Sequence, residues 1–203
     1  MSASPIRVSR KWLSLREPVD AAARASSPSS WVDESRVPAA GVIHDLGCGT
    51  GAMGRWLAPL LPGPQHWVLH DRDAAILEVA AADLPGSAAD GATVPVETTQ
   101  SDIIQLDPGD LADASLITAS ALLDLLTAEE LATLLTVCAG AGCPILPSPW
   151  RRSGSPDGSG LRPSNKPALG SKVEVYARRC LAQATAGQLE VTVDHADLLA
   201  WPS

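Results

Sequence analysis

Phenylalanine is absent from the sequence, and Tyr176 is the single tyrosine. Hydrophobic residues still make up 45% of the 203 residues, so leucine, valine and alanine must fill most of a core, together with six tryptophans. A chain of this length can bury one proper core, and nothing in its length calls for two. We therefore predict one domain over residues 1–203.

Positive charge is also scarce: 15 lysines and arginines stand against 23 aspartates and glutamates, which gives a net charge of −8. A domain that follows nucleic-acid phosphates usually presents a basic face. The one cationic cluster lies in a Pro-, Gly- and Ser-rich stretch that we interpret as a solvated loop; its members are Arg151, Arg152, Arg162 and Lys166. No apolar run reaches the length of a membrane span. We expect neither a nucleic-acid partner nor a membrane partner.

Patterns typical of metal sites and disulfide frameworks are missing as well. The four cysteines show no C-x-x-C spacing, and the four histidines do not fall into a metal-ligand spacing. The first twenty residues lack an apolar segment of signal-peptide length. The sequence therefore predicts no metal ligand and reduced thiols in a cytoplasmic protein.

Short apolar segments alternate with helical patterns through the first three quarters of the chain. This alternation predicts βαβ units and an α/β fold, a Rossmann-like, doubly wound and mostly parallel sheet. TAEE at 127–130 is a capping box that opens a helix, and Pro95 indicates an edge strand. The predicted strands are 41–46, 66–71, 93–99, 114–120 and 143–146.

The stretch HDLGCGTGAMGRWLAP at 44–59 places four glycines between a strand and a helix. Glycines in such a turn let the backbone approach a ligand closely. The dinucleotide-binding fingerprint fits in two registers, one that starts at Gly47 and one that starts at Gly49. Asp71 follows these glycines at the sequence separation expected for the acid that contacts the ribose. A nicotinamide-dependent oxidoreductase is therefore one interpretation.

Asp45 favours a different ligand. It stands two residues before the first glycine, where a carboxylate repels a pyrophosphate and attracts a cation. S-adenosylmethionine carries a sulfonium and an ammonium, and its ribose offers two hydroxyls to a second carboxylate.

Four segments together resemble the class I S-adenosylmethionine-dependent methyltransferases. HDLGCGTGAMGRWLAP resembles their first motif, WVLHDRD the second and SDIIQL at 101–106 the third, and ASLITASALLDLLTAEEL resembles the fourth strand and the loop after it. The resemblance covers roughly residues 40–146, in the family's order and spacing. It implies S-adenosylmethionine as the cofactor.

The resemblance also assigns roles to individual residues. Asp45 and the turn residues Gly47, Cys48, Gly49 and Gly51 would lie at the methionine end of the cofactor. Asp71 would accept hydrogen bonds from the ribose hydroxyls, Asp102 would meet the adenine amino group and Ile103 would pack on the adenine ring. Ala119 and Ser120 would pass beside the sulfur that carries the methyl group.

Other polar residues in these motifs have structural interpretations. Asp73 reads as a helix cap, Asp107 as a turn residue and Cys48 as a small residue rather than a nucleophile. His44 and His70 precede the acids at the ends of two strands, and the two rings would lie close together if those strands pair. They would then form either a proton-handling pair or two buried histidines bonded to backbone.

The reaction implied is methyl transfer to a small organic molecule. The motif of amino-directed nucleic-acid methyltransferases, [DNS]PP[YF], is replaced by TASALLD at 118–124, and no carboxylate cluster of a metal-dependent catechol-type enzyme is apparent. Asp124 could orient or deprotonate the acceptor, or be an acid on a helix surface. Since this family often closes its pocket with an N-terminal helix, residues 1–40 would form a lid, with Trp12, Arg16 and Asp20 as contacts.

The C-terminal part departs from the family. After a cofactor-binding core at 41–147 we expect a flexible segment at 148–170 and a terminal helix and strand at 171–203. The predicted sheet has about six strands, with 189–193 pairing antiparallel with the strand at 143–146 as the last strand. A homodimer would hide the exposed edge. This shortening leaves two functions open, a working methyltransferase or a homologue that binds S-adenosylmethionine or S-adenosylhomocysteine without methyl transfer.

Overall fold

A computed structural model describes residue 17 and residues 41–120, 126–148, 189–194 and 197–202. These residues form seven strands: β1 (Gly41–Leu46), β2 (Gln65–Asp71), β3 (Val96–Gln100), β4 (Ala114–Ser120), β5 (Ile145–Ser148), β6 (Leu189–Asp194) and β7 (Asp197–Pro202). Residues 41–148, as far as they are described, contain three α-helices: α1 (Ala52–Leu57), α2 (Ala74–Asp83) and α3 (Ala128–Gly140).

All seven strands belong to one sheet, in the order β3-β2-β1-β4-β5-β7-β6. The pairs β1–β2, β1–β4, β2–β3 and β4–β5 are parallel, which confirms the predicted Rossmann-like, mostly parallel sheet. The order reverses between β1 and β4, because β2 and β3 lie on one side of β1 and β4 on the other. In open α/β sheets, ligands bind at such a point, beyond the carboxyl ends of the strands.

Helix boundaries follow the local signals in the sequence. Asp73 is the N-cap of α2 and accepts a hydrogen bond from the Ala75 N–H, as predicted. Thr127 and Glu130 form the predicted capping box of α3 in both directions. Asp107 caps a short 3₁₀ helix at Pro108–Leu111, and a second one covers Ile103–Gln105. Both 3₁₀ helices lie in the β3–β4 crossover, residues 101–113.

The sheet is covered on both sides, and each side has its own core. On what we call the first face, Ile43, Trp67 and Leu69 pack with Met53 of α1 and Leu77 of α2. On the second face, the β-strand residues Leu46, Ile117 and Ile145 pack with the crossover and with α3. Successive residues of a strand point to opposite faces, so Asp45 belongs to the first face and His44 to the second.

The C-terminal strands are arranged differently from the prediction. Residues 189–193 do not pair with β5: they lie in β6, at the sheet edge, and β6 pairs with β7. β7, which the sequence analysis missed, is antiparallel to β5, with Ala200 opposite Ile145. The sheet thus has seven strands rather than about six. An edge place for β3 is confirmed.

Several predicted features lie outside the described residues. They are most of the N-terminal lid, the segment 149–188 with its predicted flexible stretch and helix, and residues 121–125 of the loop after β4. Within the described part, no helix is long and apolar enough to cross a membrane.

Candidate functional site

The glycine turn, residues 47–51, connects β1 to α1 at the carboxyl edge of the sheet. Gly47, Gly49 and Gly51 have φ values of 63°, 53° and 81°, in the left-handed region that side chains other than glycine rarely adopt. At Gly51 an added Cβ would also lie 3.2 Å from the Ala80 backbone of α2. The turn therefore needs glycine for its conformation and for its close approach to α2.

Asp71 holds the glycine turn in place from the end of β2. One carboxylate oxygen accepts a hydrogen bond from the Gly49 N–H at 3.2 Å, and the other from the Asp73 N–H at 2.9 Å. The Cys48 N–H donates to the His70 carbonyl at 2.9 Å, which fastens the turn to the same strand. Each carboxylate oxygen has a second acceptor position, so this partly buried group can still accept hydrogen bonds from a diol.

Asp45 lies in the core beneath the turn rather than at its surface. Its side chain is fully buried, and one oxygen accepts a hydrogen bond from the Thr118 hydroxyl of β4 at 2.8 Å. A direct contact between Asp45 and a ligand at the methionine end stays a prediction.

Asp102 is the second residue of the crossover after β3. It caps the first 3₁₀ helix by accepting from the Ile104 N–H at 3.3 Å, and it pairs with Arg72 at 3.3 Å. Its side chain is 46% exposed, so it is accessible to a ligand. Ile103, by contrast, is 5% exposed and belongs to the core of the second face, so its predicted contact with adenine would require a ligand to reach that core.

The remaining predicted cofactor residues fit the same edge. Cys48 is buried, and burial with the nearby carboxylates of Asp45 and Asp71 raises the pKa of its thiol far above the ordinary value. A thiol that stays protonated is a poor nucleophile, in agreement with the sequence analysis. Ala119 is buried in β4 and Ser120 ends that strand.

Four predicted site residues lie outside the described residues. They are Asp124, the candidate catalytic residue, and the candidate lid residues Trp12, Arg16 and Asp20. Their roles stay predictions. No group of three or more metal-ligating side chains occurs within the described part of the chain.

His44 and His70, here called the histidine pair, meet on the second face of the sheet. His44 Nδ1 lies 2.9 Å from His70 Nε2, and each residue is 3% exposed. The outer nitrogens contact the two ends of the crossover, because His44 Nε2 lies 3.1 Å from Asp113 Oδ1 and His70 Nδ1 lies 3.2 Å from Ser101 Oγ. The predicted proximity is therefore present, but these partners are side chains and not the backbone groups of the second interpretation.

One arrangement of protons satisfies all three contacts with neutral rings. An ionised Asp113 can only accept, so His44 Nε2–H donates to it and His44 Nδ1 accepts. His70 Nε2–H then donates to His44, and the Ser101 hydroxyl donates to His70 Nδ1. Burial lowers the pKa of His70 to about 4, with a further contribution from His44, and burial also lowers the pKa of His44.

The sequence analysis missed Arg55, which braces the glycine turn from α1. Its guanidinium donates to the carbonyl oxygen of Thr50, and its Nε donates to Glu17 at 2.7 Å. Glu17 belongs to the N-terminal part of the chain, so this ion pair connects that part to the turn. An arginine four residues beyond the last turn glycine is a weak sequence signal, because most such side chains face solvent.

Comparison with solved structures identifies the architecture that carries these groups. Magnesium protoporphyrin IX methyltransferase (ChlM) from Synechocystis PCC 6803 with bound S-adenosylmethionine aligns with 98% of this chain and 87% of its own, at a TM-score of 0.60 and 14% identity. The chain has the fold of the class I S-adenosylmethionine-dependent methyltransferases.

Two further structures with this methyltransferase fold extend the comparison. DesVI of Streptomyces venezuelae aligns over 98% of this chain and all of its own, at a TM-score of 0.56 and 18% identity. The methyltransferase domain of a bacterial CtHen1 aligns over 87% of this chain and 95% of its own, at a TM-score of 0.54 and 14% identity. No protein-family model and no curated protein sequence matches the chain.

Proposed function

We propose that the chain binds S-adenosylmethionine at the carboxyl edge of the sheet and transfers its methyl group to a small organic molecule. The observation that carries this proposal is the glycine turn closed onto Asp71, with the accessible carboxylate of Asp102 following the next strand. An acid after β2 suits a ribose diol, and an acid after β3 suits an exocyclic amine. The fold, which ChlM shares in complexes with S-adenosylmethionine and with S-adenosylhomocysteine, supports the same ligand.

The charge of the core supports this cofactor over a dinucleotide. Residues 41–120 contain two arginines and no lysine, and both arginines pair with carboxylates. A pyrophosphate would therefore meet backbone groups and acids at this edge, whereas a sulfonium and an ammonium are attracted by the buried carboxylate of Asp45. The alternative is a nicotinamide-dependent oxidoreductase, and a measurement of NAD binding distinguishes the two.

Methyl transfer is an in-line displacement at the sulfonium, so the protein mainly has to hold acceptor and methyl carbon in line. Asp71, Asp102 and the glycine turn would form the cofactor half of such a site. A base is needed only for an acceptor that is not already nucleophilic, and Asp124 is the candidate for that role. The same acidic core favours a small molecule over a nucleic acid as the acceptor.

Calorimetric titration with S-adenosylmethionine, S-adenosylhomocysteine and NAD tests the cofactor. We expect both adenosyl compounds to bind and to raise the thermal unfolding temperature, because a ligand bound only by the folded state stabilises it. NAD should do neither. Tight binding of NAD without an effect of S-adenosylhomocysteine would refute the proposal.

A transfer assay separates a methyltransferase from a homologue that only binds the cofactor. S-adenosylmethionine with a labelled methyl group is incubated with a panel of small amines, phenols and carboxylic acids, and in parallel with RNA. We expect label in a small-molecule product. Label in RNA would overturn the acceptor class, and S-adenosylhomocysteine binding without transfer to any member would favour the binding-only homologue.

A further inference from the structure

The histidine pair is not explained by the proposed chemistry, because it lies below the sheet edge and is shielded from solvent. Buried imidazoles are costly unless their nitrogens are satisfied, and here all four nitrogens have partners within 3.2 Å. Two of the three contacts lead into the same segment, the β3–β4 crossover. This arrangement ties the beginning and the end of the crossover to the two central strands β1 and β2.

The tie at the beginning of the crossover lies beside the cofactor acids. Ser101, whose hydroxyl contacts His70, directly precedes Asp102, and its N–H donates to the carbonyl oxygen of Asp71 at 3.0 Å. Ser101 is thus the residue through which the positions of the two acids are set relative to each other. Its backbone is fixed by Asp71 and its side chain by His70.

We propose that His70, supported by His44, is a positioning residue for cofactor binding: its hydrogen bond to Ser101 fixes Asp102 in the place where it meets the adenosine part of the ligand. This inference rests on the proposed function. His70 does not touch the ligand itself. Its effect on affinity passes through one hydrogen bond, which can be removed from either end.

The surroundings of the pair keep it in the neutral form that this role requires. The charged and titratable groups around it are Asp110 and Asp113 of the crossover, His66 of β2 and Glu97 of β3. The acids favour a proton on the rings, but burial outweighs them and lowers the pKa of both histidines. At neutral pH the Ser101 hydroxyl therefore donates to an unprotonated Nδ1 of His70.

Two substitutions of His70 separate the two contacts of its ring. His70→Asn places an amide oxygen near the position of Nδ1, where it can accept from Ser101, and gives up the contact with His44. His70→Gln places an amide nitrogen near the position of Nε2, where it can donate to His44, and gives up the contact with Ser101. Both side chains are neutral and polar, so each variant loses one hydrogen bond of the pair.

The affinity for S-adenosylhomocysteine is measured at pH 8 for the wild type, both His70 variants and Ser101→Ala, with unfolding temperatures recorded in parallel. We expect His70→Gln and Ser101→Ala to bind about three- to tenfold more weakly than the wild type, the effect of one net hydrogen bond. His70→Asn should bind like the wild type although its unfolding temperature falls. The double variant His70→Gln/Ser101→Ala should be no weaker than the weaker single variant, because both changes remove the same bond.

Three results would overturn the proposal. They are equal loss of affinity in the Asn and Gln variants, wild-type affinity in Ser101→Ala, and additive losses in the double variant. Ser101 lies outside the core, so its variant keeps the test decisive if a His70 variant does not fold. Failure of the wild type to bind S-adenosylhomocysteine would refute the proposed function instead, so the two failures are distinguishable.

Discussion

The two faces of the sheet bury polar groups in different ways. On the first face a single carboxylate, Asp45, is fully buried next to the Thr118 hydroxyl. On the second face, the histidine pair forms a chain of neutral groups that runs from Ser101 to the exposed Asp113. The first face keeps a carboxyl group beneath the glycine turn, whereas the second uses two neutral imidazoles to fasten a crossover.

This difference assigns the pH dependence of stability to the second face. The acids that face the ligand edge lie at the end of β2 and just after β3, and Asp71 lies on the first face with Asp45. The histidine pair of the second face contacts the same edge through Ser101, the residue before Asp102. Substitution of Asp71 on the first face should therefore change affinity at neutral pH, whereas substitution of His70 on the second face should in addition change how stability responds to acid.

The largest effect is expected for Asp71→Ala. The change removes two acceptors for ribose hydroxyls, each worth about 1.5–3 kcal/mol when the acceptor is charged, and it releases the Gly49 N–H of the turn. The affinity for S-adenosylhomocysteine should fall at least about tenfold. Calorimetry is the measurement.

The matched control for Asp71 is Asp73→Ala. Asp73 is two residues away and caps α2, but its side chain does not hold the glycine turn. Loss of the cap should lower the free energy of unfolding by about 1 kcal/mol and leave the affinity unchanged. Unchanged affinity in Asp71→Ala, or equal losses in both variants, would mean that the acid after β2 does not meet the ribose.

Stability measured over a pH series should show the contribution of His70 on the second face. The pKa of His70 is about 4 in the folded chain and 6.5 for the ordinary group, so between these values the unfolded chain binds more protons and stability falls as the pH is lowered. The full difference between the two pKa values corresponds to about 3 kcal/mol in the free energy of unfolding. This contribution is present above pH 6.5 and is lost as the pH approaches 4. Urea unfolding across this range measures it.

Removing the titrating ring tests the origin of this slope. His70→Asn should start from a lower stability at pH 7 and lose less of it on acidification, because the new side chain does not titrate. The same slope in wild type and variant would assign the acid sensitivity to other groups and weaken the contrast between the faces.

A smaller effect is expected for Thr118→Val on the first face. The substitution keeps the shape of the side chain but removes the hydroxyl that donates to the buried Asp45. Loss of this buried hydrogen bond should lower the free energy of unfolding by about 1–2 kcal/mol. Thr118→Ser retains the donor and should recover most of this loss, whereas equal losses in Val and Ser would point to packing alone.

The smallest effect is expected at the start of α3. Thr127→Ala removes the N-cap hydrogen bond of the capping box and should lower stability by about 1 kcal/mol. Thr133→Ala, on the exposed surface of the same helix, should be neutral or slightly stabilising because alanine has the higher helix propensity. Neither variant should change the affinity for S-adenosylhomocysteine, and a change in either would connect α3 to the ligand edge.

Sequence reasoning succeeded where short-range rules apply and failed where distant segments compete. The capping box at Thr127, the cap at Asp73 and the parallel core strands depend on neighbouring residues and on period-2 patterns. At the C-terminus only 189–193 was predicted as a strand and was paired with β5, whereas 197–202 was missed. Which of them pairs with β5 depends on how the chain returns to the sheet.

The sequence by itself determined the order of strands and helices from β1 to β5, the glycine turn and the acids at the ends of β2 and β3, because these follow from local conformational preference and hydrophobic periodicity. Only the tertiary structure decided that Asp45 is buried against Thr118, that the two histidines bond to each other and to the crossover, and that β7 separates β6 from β5. Contacts between residues far apart in the chain depend on register and on the packing of a whole face, and a shift of one residue would turn each of these side chains to the other side of the sheet.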